Sequence, residues 1–136
     1  MRTKLPISDL MALFIECVEK SGLKCYDGVP DNAESPFYIC ELIGIEPKDT
    51  KTMYVDAFTF YVHCIAKSEL NKSSLGVFNM IDDLREQLTN ELYLSNPFNI
   101  LDMVDNGLIV MKTDETGEKH AIESITINVC YGFKCK

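Results

Sequence analysis

Apolar residues between positions 10 and 18 recur at helical spacing. Leu10, Leu13, Phe14, Cys17 and Val18 fall at i, i+3, i+4, i+7 and i+8, with Glu16, Glu19 and Lys20 on the other side. Ser8 is suited to cap this helix, Asp9 complements the positive end of its dipole, and Gly22 supplies a stop. A second stripe, Val77, Ile81, Leu84, Leu88 and Leu92 with Phe78 and Met80 beside it, predicts another amphipathic helix. It starts from Ser73 or Ser74, after a polar link at 68–74, and Asn96-Pro97 ends it. Asp82, Asp83, Glu86 and Asn90 lie largely off that stripe. With no His near them they form a solvated face rather than an acid–base pair.

Alternation takes over elsewhere. Residues 37–45 form a strand closed by Glu46-Pro47-Lys48-Asp49. Residues 53–66 form the longest strand, with Tyr54, Asp56, Phe58, Phe60, Val62 and Cys64 on one face. Val55, Ala57, Thr59, Tyr61, His63 and Ile65 share the other, and neither face is polar. Such a strand is covered on both sides. Two helices cover one face of a small sheet, so the other is covered by a second subunit or by loops and the C-terminal segment. Residues 98–105 are ambiguous between an extended arm and a short strand, whereas 107–113 and 119–129 are clear strands. In the latter, Ala121, Glu123, Ile125, Ile127 and Val129 oppose Ile122, Ser124, Thr126, Asn128 and Cys130. Asp114-Glu115-Thr116-Gly117 carries hairpin-turn chemistry, with Gly117 at positive φ, and 131–136 is a short tail. The order helix, strand, long strand, helix, hairpin predicts one α+β domain over 1–136. Its sheet is about four-stranded and mostly antiparallel, with both helices packed on one face.

Composition narrows the class. The chain has 136 residues, 46% hydrophobic and 25% charged, enough for one domain with a real core. No apolar run approaches the ~18 residues that span a bilayer, and the first residues lack a signal-peptide pattern, so a cytoplasmic product with reduced thiols is expected. The six cysteines include no C-x-x-C pair, and His63 and His120 are far apart, which argues against a metal site. Net charge is −8, and residues 25–50 carry six acids, Asp27, Asp31, Glu34, Glu41, Glu46 and Asp49, against Lys48 alone. That surface repels phosphate backbones and excludes tight nucleic-acid binding. It suits a basic protein partner, a passage that DNA traverses without sticking, or simple solvation of a loop.

Within this acidic region the grammar is a short extended piece, a loop and a strand. Asp27-Gly28 signals a turn through the freedom of Gly at positive φ, and Pro30 and Pro36 restrain the loop. Tyr26-Asp27-Gly28-Val29-Pro30, then Pro36-Phe37-Tyr38-Ile39 and Gly44, resemble the early signature of phage tail-completion proteins, the tail terminators of siphovirus-type phages and prophages. The order of elements is similar over the whole chain. It departs from the family pattern in lacking a Trp near the end of the second long strand, for it contains no Trp at all. The resemblance implies an α+β fold of the kind derived above, in a structural protein of the virion tail that is assembled in the host cytoplasm. Identical subunits would close a hexameric ring on the tail tube, stop its polymerisation and offer a face to the head–neck connector.

The loops at 27–35 and 114–117 would then reach partners, with Asp27, Asp31, Glu34, Asp114 and Glu115 as candidate contacts. No phosphate-binding, dinucleotide, serine-hydrolase or zinc-protease motif occurs, and His63 and Cys64, as strand neighbours, point to opposite faces. Neither catalysis nor a cofactor is expected. Another neck or head-completion protein, or a small acidic inhibitor of the immunity-protein type, fits the same features.

Overall fold

Among the described residues seven elements follow one another: α1 (Ile7–Glu19), β1 (Cys25–Tyr26), β2 (Phe37–Pro47), β3 (Met53–Ala66), α2 (Leu75–Gln87), β4 (Asn99–Thr113) and β5 (Lys119–Phe133). This computed structural model describes residues 2–67 and 74–134. The expected Ser73 cap, most of the polar link at 68–74, and Cys135 lie outside the described residues.

Helix α1 buries Leu10, Phe14, Cys17 and Val18 of the stripe its spacing predicts, with Leu13 only half-buried, and Gly22 follows it at φ 103°. Its start differs from expectation. Pro6 occupies the cap position, and its carbonyl accepts from Asp9 and Leu10, so Ser8 lies inside the helix. Pro6 has a fixed φ and no N–H to lose, which suits the edge of a first turn. Helix α2 buries Val77, Met80, Ile81 and Leu84 but leaves Phe78 exposed. It ends at Gln87, well before Asn96-Pro97. Polar side chains divert the chain there: the Thr89 hydroxyl donates to the Glu86 carbonyl at 2.7 Å and Asn90 Nδ2 to Gln87 Oε1 at 3.0 Å. Leu88, Leu94 and Phe98 still pack against the core without being helical.

The sheet has five strands in the order β1-β2-β3-β5-β4. β2, β3, β5 and β4 pair antiparallel, while β1 runs parallel to β2 through Cys25↔Tyr38 and Tyr26↔Ile39. The expectation of about four mostly antiparallel strands is therefore corrected to five in a mixed sheet. A two-residue strand is too short for alternation to reveal. The ambiguous stretch at 98–105 and the strand at 107–113 are one strand of 15 residues, β4. Three bulges, after Ile100, Asp105 and Leu108, interrupt its pairing with β5. Gly107, at φ 103°, takes the turn that one of them imposes. β5 continues to Phe133, through the first half of the expected tail.

One sheet face carries the core. Phe58, Phe60, Val62 and Cys64 of β3 and Ala121, Ile125, Ile127 and Val129 of β5 are buried beneath the helices. Phe14 meets Phe60 with ring centroids 4.9 Å apart, and the Tyr38 hydroxyl donates to the Met80 carbonyl at 2.7 Å, tying β2 to α2. The opposite face is less covered: Val55, Ala57 and Ser124 are buried there, but Thr59, Tyr61, His63 and Ile65 are only half-buried.

At the end of the sheet where β3 begins and β5 finishes, cations gather on two tyrosines. Arg2 and Lys134 lie over the Tyr54 ring and Lys4 over the Tyr131 ring, at 5.1, 5.4 and 5.5 Å. Lys4 also pairs with the buried Asp56 at 3.4 Å, and Arg2 Nη2 donates to the Phe133 carbonyl at 2.7 Å.

Candidate partner-binding surface

The loop at 27–35 is anchored at both ends. Tyr38 N–H donates to the Lys24 carbonyl at 2.8 Å, and Cys25 N–H donates to Glu19 Oε2 at 3.1 Å. The Tyr26 and Phe37 rings meet edge-on at 5.7 Å across its base. Its motif residues thus act as a clamp, leaving Asp27, Asp31 and Glu34 exposed beyond it. The positive-φ residue of the loop is Asn32, at 58°, rather than Gly28. Asn tolerates that region because its short side chain bonds locally, and so the sequence offered a less obvious place for the bend.

The second loop has another construction. Asp114 Oδ1 accepts from Thr116 Oγ1 at 2.7 Å, Thr116 N–H at 2.9 Å and Glu118 N–H at 3.0 Å. The Thr116 hydroxyl first, then the backbone donors, hold this carboxyl below its usual range. Asp114 is thereby occupied inside the turn, with Gly117 at φ 88° as its spacing predicts. Glu115 stays exposed at the tip.

Register places both loops at one end of the sheet. Phe37 lies opposite Ile65, Ile65 opposite His120, and His120 opposite Lys112. Asp27, Asp31 and Glu34 leave from the β1 side and Glu115 from the β4 side. The sheet separates them by about 14 Å across three strand spacings. They share a rim without converging on a point.

On the open face, pairing joins residues that sequence keeps apart. Glu41 Oε1 lies 2.9 Å from His63 Nε2, and His63 Nδ1 lies 2.9 Å from His120 Nε2. Burial, then His63 and Lys112, lower the His120 pKa. The pair can share a proton while Glu41 orients it. Glu41 occupies the far nitrogen of His63, and no group of three metal-ligating side chains converges among the described residues. Farther along the same face, between β4 and the β2–β3 turn, a trough of about 490 Å³ is lined by Glu46, Lys48, Val104, Asn106 and Asn128 among others.

β4 departs most from an ordinary surface. Leu101, Val104, Leu108, Ile109, Val110 and Met111 are all exposed, Ile109 by 52%. At the opposite side of the sheet Ile43 and Ile45 of β2 are exposed as well. β4 is tied to the core by Arg85, whose Nε lies 3.1 Å from Asp105 Oδ2 and 2.9 Å from Glu123 Oε2. Glu123 is fully buried, and its Oε1 has no hydrogen-bond partner among the described residues. Burial first, then Asp105, push its carboxyl up to about 7 against the pull of Arg85.

Comparison with known proteins bears on the whole chain. The model of the phage tail terminator family described as "Putative tail termination protein" matches residues 2–136. No curated protein matches the sequence. Among solved structures, a chain from the virion of a native gene transfer agent particle superposes with a TM-score of 0.64 at 13% identity. The match covers 93% of this chain and 99% of that one, and at such identity it shows a shared fold. With the family model spanning all but the first residue, this chain belongs to the phage tail terminator family, structural proteins of the phage tail.

Proposed function

We propose that the protein closes the phage tail tube as a hexameric ring of identical subunits and forms the tail side of the head–tail junction. The observation that carries the proposal is the combination of family membership with an open sheet face and an apolar, unpaired β4 edge. A chain of this size leaves such surface bare only if other subunits cover it. Heterologous contacts around a closed axis give a ring rather than a filament. Occurrence of the same fold in a gene transfer agent virion supports a place in such a particle. The proposed partners are the tail-tube protein and the head–neck connector, with assembly in the host cytoplasm. DNA traverses the ring without specific binding, in keeping with the net charge of −8. The role requires neither catalysis nor a cofactor.

The acidic rim supplies the docking hypothesis: Asp27, Asp31, Glu34 and Glu115 face the tube or the connector. The test mixes the protein with tail-tube subunits of its own phage and measures tube length. A terminator binds one tube end and caps growth. Asp31→Lys combined with Glu34→Lys leaves the fold intact, both residues being exposed, and weakens capping. Unchanged capping by the reversed loop reduces its acidity to solvation. A wild-type protein that ignores tubes but binds a head connector or a basic toxin abandons the terminator role for that of a neck component or an inhibitor.

A further inference from the structure

We propose that copies of this chain join edge to edge, the outer edge of β4 in one copy pairing antiparallel with the outer edge of β2 in the next. The inference rests on the ring proposed above and specifies its subunit contact. Of fourteen exposed large hydrophobic residues among the described ones, eight lie on β2 or β4. These are the long strands nearest the two sides of the sheet. Ile43 and Ile45 mark one edge and the consecutive Leu108, Ile109, Val110 and Met111 the other. Both edges lack a strand partner where it matters. β1 pairs only with Tyr38 and Ile39, so β2 from Cys40 to Pro47 has an unpaired outer edge among the described residues, as β4 has throughout.

Strand direction selects the pairing. β3 is antiparallel to β2, β5 to β3, and β4 to β5, so β4 runs opposite to β2. Rotation about an axis parallel to the strands preserves direction. Successive copies in a ring therefore bring β4 against β2 in the antiparallel sense, where ladder geometry is favourable. Most charges on the two strands are already engaged within the subunit, Glu41 with His63, Glu46 with Lys48, Asp105 with Arg85, and Asp102 with Asn128, which leaves Lys112 near the end of β4. Apolar side chains and backbone groups are left to make the contact.

A second copy is the occupant because one chain carries both halves of the contact. A twofold β4–β4 pairing would leave Ile43 and Ile45 bare. An edge contact of this length buries on the order of 1,000 Å² in total, the low end for a stable interface. A single pair therefore dissociates readily, whereas ring closure gives every subunit two contacts.

Two variants test the pairing, Ile43→Lys on β2 and Ile109→Lys on β4, since an edge lysine blocks strand addition. Both sites are exposed, and unchanged thermal melting checks the fold. If either melts early, Ile45→Lys or Val110→Lys replaces it. Sedimentation is followed up to millimolar concentration, and at the ends of tail tubes. The expected result is rings for wild type, monomers for each variant alone, and heterodimers but nothing larger for their mixture, in which one intact β4 edge meets one intact β2 edge. If wild type forms rings and either variant does too, edge pairing is overturned and the ring stands. A wild-type protein that stays monomeric both alone and on tubes overturns both.

Discussion

Glu123 is the residue most out of keeping with its surroundings, a carboxyl buried beneath α2 beside Arg85 and Asp105. Its pKa near 7 lies above that of an unfolded glutamate, so between the ordinary glutamate range and about 7 the folded state holds the proton more often. Stability is then greatest below that window and declines as pH rises through it. Glu123→Gln should remove this contribution, on the order of 1–3 kcal/mol. Urea midpoints of wild type and variant at about pH 5 and pH 8 should diverge accordingly. A variant that keeps the wild-type slope would place the titration elsewhere. Tyr38 offers a complementary measurement. Removing its hydroxyl takes a buried donor from the Met80 carbonyl, so Tyr38→Phe should cost about 1 kcal/mol without altering the fold.

Among the elements, α2 tests the helix phase. Leu84 is buried on the stripe and Asp83 exposed beside it. Leu84→Ala should cost roughly 2–5 kcal/mol through lost burial and a cavity, and Asp83→Ala less than about 0.5 kcal/mol. Reversed costs in a denaturation series would contradict the packing of this helix. The same elements show what sequence reveals. β3 was legible because its alternation runs unbroken from Phe58 to Ala66, past the irregularity at Tyr54 and Val55, and α1 because its stripe meets a glycine stop. β4 was legible only in its second half, since each bulge resets the alternation on which recognition depends. The end of α2 was obscured because Leu88 and Leu92 keep the helical period beyond the point where Thr89 and Asn90 turn the chain aside. Of the candidate surface, the acidic loop could be read from charge and proline placement. The Glu41–His63–His120 chain could not, because it exists only through the register of β2, β3 and β5. Nor did the spacing of Asp114 reveal that its carboxylate is spent within its own turn.

For the molecule as a whole, the thiols report on integrity. Cys17, Cys25, Cys40, Cys64 and Cys130 are unbridged and buried, and burial pushes the Cys64 thiol up to about 12. They should resist a thiol reagent in the native protein and react once the chain is unfolded without reductant. Counting all six cysteines of the chain, fewer than five reacting would reveal a native disulfide or a bound metal. Cys25 and Cys40, with sulfurs 3.1 Å apart, are the pair to inspect first.

The sheet also has unlike ends: Asp27, Asp31, Glu34 and Glu115 lie at one, while Arg2, Lys4 and Lys134 rest on tyrosines at the other. Rotation about an axis along the strands repeats each end on its own side, and no operation of a cyclic ring exchanges the two. The assembled particle would have unlike mouths, one presenting the exposed loop carboxylates and the other Arg2, Lys4 and Lys134 on aromatic rings beside Asp49 and Asp56. Added salt should then loosen docking at the carboxylate-bearing mouth more steeply than at the other. The ring would possess a sidedness that no single subunit needs, enough to tell a growing tube from an arriving head.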